Sequence, residues 1–99
     1  MREIRGGKMP KIVLEELPME LSFWANDGQV IRSYEQLPAA LKRMRATAFR
    51  HHVNNEKNDF ANWVRDVIHD DALAKELEKE KRKSQTLDMA RSRIRELKK

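Results

Sequence analysis

Ninety-nine residues with no cysteine make one small domain that has neither a disulfide nor a thiolate zinc site to brace it. The formal net charge is +5, with 37% of residues charged, which favours an anionic partner and leaves little room for a deep catalytic cleft. No apolar run approaches the roughly 18 residues of a membrane span, and Arg2, Arg5, Lys8 and Lys11 precede no block of signal-peptide length, so a cytoplasmic location is expected.

Residues 1–10, with Gly6, Gly7 and Pro10 and no periodicity, read as a flexible basic arm. Lys11 to Leu14 has the composition of a short strand, which Pro18 would stop. Two apolar runs, Ser22 to Ala25 and Gln29 to Arg32, then flank Asn26-Asp27-Gly28. Asp-Gly suits a tight hairpin turn because glycine accepts positive φ. A two-residue loop at Asp27-Gly28 sets Trp24 opposite Ile31 and Ala25 opposite Val30. Ser33 and Gln36 have the spacing of a capping box, with Leu37, Leu41 and Met44 on one stripe behind them. Pro38 leaves two starts open: at Tyr34, with the proline crowding the turn before it, or at Pro38 itself, where proline suits the first helical position; either way the helix should end near Arg45.

A second helix is predicted over Ala46 to Val53, burying Phe49 and Val53. After the polar turn Asn54 to Lys57, Asn58 caps a third helix in which Phe60, Trp63, Val64, Val67 and Ile68 recur at i, i+3, i+4, i+7 and i+8. This is the strongest amphipathic pattern in the chain. Asp70 caps a fourth helix that buries Leu73 and Leu77. Glu80 and Ser84 then stand where apolar residues are due, so the folded unit is expected to close by Leu77 and to fold without residues 81–99. Leu87, Ala90, Ile94 and Leu97 begin a fresh stripe, on a helix either continuous with the fourth or hinged at Ser84 to Thr86. The fold class is therefore α+β and mostly helical: a β-hairpin, a compact bundle of short helices, and a protruding basic C-terminal helix. The expected divisions are 1–10 for the arm, 11–80 for the domain and 81–99 for a basic amphipathic tail.

Phe49-x-x-His52-Val53 followed by Asn58-Asp59-Phe60-Ala61-Asn62-Trp63, with Trp24 to Gly28 before and Leu73-Ala74-x-x-Leu77 after, resembles a small uncharacterised domain of archaea and candidate-phylum bacteria. The likeness spans roughly residues 21–78, and Pro38 departs from it. It implies a fold boundary and supplies no catalytic residue.

Charge is segregated along the chain. Residues 58–80 carry seven acids against three bases, whereas residues 81–99 carry eight bases against Asp88 and Glu96. The last block has no equal acidic partner left, which makes it the candidate contact for an anion. Lys81, Arg82, Lys83, Arg91, Arg95 and Lys98, together with the basic arm, are the expected phosphate contacts for DNA or RNA. The alternative is a protein–protein adaptor or self-associating module in which Leu87, Ala90, Ile94 and Leu97 receive a partner or a second copy.

Catalysis is not expected. His51, His52, His69, Asp66, Asp70 and Asp71 are the one plausible metal constellation. Adjacent histidines on a helix diverge by about 100°, and Asp70 serves better as a cap, so neither metal nor cofactor is expected. His52 should be partly buried and hydrogen-bonded, and His51 should face water. The carboxylate pairs read as solvated faces, and Gly6-Gly7-Lys8 lacks the spacing of a phosphate loop. No serine sits in a nucleophile elbow. No small-molecule substrate is implied. Phe49, Phe60 and Trp63 belong to the core, while Trp24 and Tyr34 are open to either a buried or an exposed role.

Overall fold

The computed structural model describes residues 11–99; the expected basic arm, residues 1–10, lies outside them. A two-stranded antiparallel hairpin, β1 (Phe23–Trp24) and β2 (Val30–Ile31), precedes five α-helices: α1 (Leu37–Arg43), α2 (Ala46–His52), α3 (Asp59–Trp63), α4 (Asp71–Glu78) and α5 (Lys83–Leu97). The α+β, mostly helical class is the one the sequence pattern leads to.

The hairpin register differs from the expected one by a single residue. Phe23 lies opposite Ile31 and Trp24 opposite Val30. The Gly28 amide donates to the Ala25 carbonyl, and the Ala25 amide to the Gln29 carbonyl, so Asn26, Asp27 and Gly28 all belong to the loop. Gly28 sits at φ 94°, the left-handed position that closes a three-residue loop. The slip decides which side chains face inward. Phe23 and Ile31 enter the core while Trp24 remains 59% exposed.

Before α1 the chain makes a 3-10 turn, Tyr34–Gln36, and Pro38 falls in the first turn of the helix, where its missing amide costs no intrahelical bond. The expected capping box is not made. Ser33 makes no side-chain cap bond, and Gln36 Oε1 accepts from the Arg32 amide instead. Lys11 to Leu14 forms no strand; the Val13 amide donates to the Ile68 carbonyl at 2.9 Å.

Asn58 does cap α3, accepting from the Ala61 amide at 2.9 Å. Past Trp63 the helix widens into a π turn, Val64–Ile68, which ends at His69 in the left-handed conformation, φ 69°. The widened turn delivers Val64 and Ile68 to the core and sets Asp70 at the head of α4, where Asp70 accepts from the Leu73 amide. Phe60 stands at the centre, stacked on Phe23 with ring centroids 4.6 Å apart and on Phe49 at 5.9 Å.

The C-terminal helix does not protrude. The chain turns at Lys79–Arg82, so α5 is neither continuous with α4 nor hinged at Ser84 to Thr86, and it returns to pack on α1 and α4. Thr86 and Ala90 are fully buried and Ile94 nearly so, with Leu87 and Leu97 packed at the margin of the same core. Lys83 Nζ donates to the Met44 carbonyl beyond the C-terminus of α1, and Lys98 Nζ lies 2.7 Å from Glu35 Oε2 ahead of its N-terminus. The two helices are therefore antiparallel. Glu80, read from sequence as an exit from the core, is 9% exposed and takes the Arg82 amide and guanidinium. A carboxylate satisfied by its own neighbour can stay close to the core, so it marks no exit.

Candidate nucleic-acid interface

One buried carboxylate fixes the helix that carries the basic residues. Asp70 is 1% exposed. It accepts from the Tyr34 hydroxyl at 2.8 Å and from the Arg93 guanidinium at 2.8 and 3.1 Å. Both carboxylate oxygens are thereby engaged, in the two-pronged geometry that arginine suits best. Burial raises the Asp70 carboxyl, but Arg93, Tyr34 and the Leu73 amide outweigh burial and hold it below its ordinary value. Tyr34 is pushed far up, first by burial and then by Asp70. Arg93 thus serves the fold, and its sequence position among exposed arginines gave no sign of that.

The low Asp70 carboxyl makes stability depend on pH. A carboxyl held lower in the folded protein than in the unfolded chain contributes stability that is present above the unfolded value and is lost as pH falls through the folded one. Glu80 behaves likewise, held at about 2 by Arg82. The contribution of these two carboxylates should therefore be full above about pH 5 and be lost progressively as pH falls from about 4.5 toward 2. Asp70→Asn should weaken the protein at neutral pH and converge on the wild type in acid. Denaturant curves that remain parallel down to pH 2 would contradict this role for Asp70.

With α5 anchored, its expected phosphate contacts divide between the start of the helix and its C-terminal half, Lys83 and Arg91 standing roughly 12 Å apart along the axis. At the N-terminal end, Lys81 donates to Asn55 Oδ1, Arg82 is paired with Glu80, and Lys83 is tied to the Met44 carbonyl. At the C-terminal end, Arg91, Arg95 and Lys98 follow at i, i+4 and i+7 on one face, all exposed. Lys98 bridges to Glu35 and Arg91 lies 3.9 Å from Asp88. Arg91, Arg95, Lys98 and Lys99 surround a groove of about 500 Å3 between α5 and the start of α1, with Pro38 and Ile94 as its apolar lining and Glu35 as its one acid among the described residues. Lys99, not anticipated from sequence, follows the end of α5 and lines the same groove. A second cavity of about 560 Å3, between α4 and α5, mixes Glu76, Asp88 and Glu96 with Arg93, Arg95 and Lys99, so it selects neither sign of charge.

The apolar stripe expected to receive a partner is occupied within the fold. Ala90 and Ile94 face α1 and α4, and Leu87 and Leu97 are half-buried beside them. Trp24 is an exposed aromatic, its indole N–H donating to the Met19 carbonyl. Glu20 and Asp27, its near neighbours along the chain, do not favour a polyanion there. Tyr34 is wholly inside.

The histidines divide as expected. His51 is exposed, whereas His52 is 5% exposed, with Nδ1 2.9 Å from Asp59 Oδ2 and Nε2 accepting from the Asn26 amide at 2.9 Å. Accepting at Nε2 while facing a carboxylate at Nδ1 fixes the tautomer with its proton on Nδ1. His52 thereby ties the hairpin loop to the start of α3. Among the described residues no group of three or more histidines and carboxylates is placed to hold a metal, and no helix is long and apolar enough to cross a membrane. No family model matches the chain, and no curated protein or solved structure matches it either.

Proposed function

We propose that the protein is a non-enzymatic binding module that holds nucleic acid by its phosphates, on the face of α5 carrying Arg91, Arg95 and Lys98. The observation behind the reading is the groove, lined by four cationic residues and one described acid, Glu35, which bridges to Lys98 while Arg91 lies 3.9 Å from Asp88 outside the lining. Burial of Ala90 and Ile94 and the Asp70–Arg93 pair hold the helix in place, so its cations are presented by a rigid element. Spaced over seven residues, Arg91 to Lys98 span roughly 10 Å along the helix axis. Neutralising phosphates releases condensed counterions and drives binding without reading bases, so the contact is indifferent to sequence. Lys81, exposed just ahead of α5, offers a further basic point, while Lys83 is engaged with the Met44 carbonyl.

Replacing Arg91, Arg95 and Lys98 together with glutamine tests this. None of the three is buried, so the thermal midpoint should move little. Affinity for labelled oligonucleotides, read by fluorescence anisotropy at low salt, should fall by about tenfold or more and equally for unrelated sequences. A triple variant that binds like the wild type would overturn the reading.

A further inference from the structure

We infer that the groove between α1 and α5 takes an unpaired nucleotide, which makes single-stranded nucleic acid, and not duplex, the preferred ligand. The inference rests on the phosphate-binding reading above and adds what the apolar part of the groove does. Cations alone would grip any phosphate backbone, but here they surround the half-buried ring of Pro38, with Ile94 closed into the core beneath it, in an open groove of about 500 Å3. A duplex presents phosphates and sugars on its outside and keeps its base faces stacked, so it meets the rim and leaves the recess unfilled. A single strand can turn a base outward, and the base face is the apolar surface that such a lining accepts. Arg91 and Arg95 stand on the rim, where a planar guanidinium can lie on the other face of the base while its neighbour meets the phosphate. Base-face contact is tolerant of sequence, in keeping with a rim of guanidinium and ammonium groups that serve phosphates.

Glu35 sets a limit on this binding. Its carboxylate holds Lys98 at 2.7 Å across the mouth of the groove, where a phosphate would compete for the same ammonium. Both groups are about half exposed, so the bridge is weak and can be exchanged. Removing the carboxylate should therefore tighten binding.

Three labelled probes of one length separate the possibilities by anisotropy: a mixed-sequence DNA single strand, an abasic deoxyribose-phosphate strand and a duplex. The wild type should bind the single strand about fivefold or more tighter than the abasic strand or the duplex, base–side-chain contacts being the difference. Pro38→Ser, neutral and in the first turn of α1, should reduce that advantage and leave the salt dependence of the abasic strand unchanged. Glu35→Gln should raise affinity for all three by about two- to fivefold. Equal affinity for single and abasic strands, or tighter binding of duplex, would overturn the inference while leaving phosphate binding intact. Failure to bind any of the three would overturn the phosphate reading itself.

Discussion

A chain ending at Glu80 should show no cooperative unfolding transition. Removing α5 strips the cover from the faces of α1 and α4 it packs on, and takes Ala90, Ile94 and Thr86 out of the core. Full burial of one side chain the size of Ile94 is worth about 1.5–3 kcal/mol. Loss of Arg93 leaves the Asp70 carboxylate inside the protein without its cation, and breaking a buried pair from one side costs about 3–5 kcal/mol. Together these approach the whole stability of a small domain, roughly 5–15 kcal/mol. Circular dichroism during heating would show a broad, shallow loss of helix. A sharp sigmoidal transition in the shortened chain would mean that α5 is an appendage, as its charge suggests.

Trp63→Ala should cost about 3–5 kcal/mol, and Trp24→Ala less than about 1. Trp63 is 7% exposed, meets Phe23 edge-on with centroids 5.9 Å apart, and donates its indole N–H to the Leu21 carbonyl at 2.9 Å. The substitution therefore opens a cavity between the hairpin and α3 and leaves a carbonyl without its donor. Trp24 lies on the outer face of the same hairpin and loses a bond to Met19 that water can replace. Urea titrations followed by circular dichroism compare the two directly. Equal midpoints would contradict the packing of the hairpin on α3.

The sequence pattern was informative where local chemistry and burial agree. Asn58 and Asp70 cap the helices they precede, Phe60 to Ile68 repeats as a buried stripe, and His52 sits between backbone and carboxylate. It misled where a polar residue is satisfied by a partner distant in sequence or hidden in a turn. Glu80 and Ser84 interrupt the apolar rhythm after Leu77, yet the chain needs no apolar residue there, because it turns and returns as α5. Arg93 looks like any other base on a basic helix; only the fold brings it to Asp70, 23 residues earlier. The hairpin register slipped because Asp-Gly fits both a two-residue and a three-residue loop, and the choice lies with Phe23 and Ile31 facing the core. The groove was legible in part. Arg91, Arg95 and Lys98 share a face by spacing, whereas Glu35 and Pro38 reach it only through the antiparallel packing of α1 on α5.

Whether the C-terminal half of α5 grips phosphates is measured most directly by a salt titration of the wild-type protein. Three or four phosphates held by Arg91, Arg95, Lys98 and Lys99, at about 0.7 counterions released per phosphate of a single strand, give a slope of log affinity against log salt of about −2 to −3. Anisotropy of a labelled mixed-sequence single strand, followed from low to moderate salt, should return that slope. Affinity independent of salt, or no binding at the lowest salt, would contradict it.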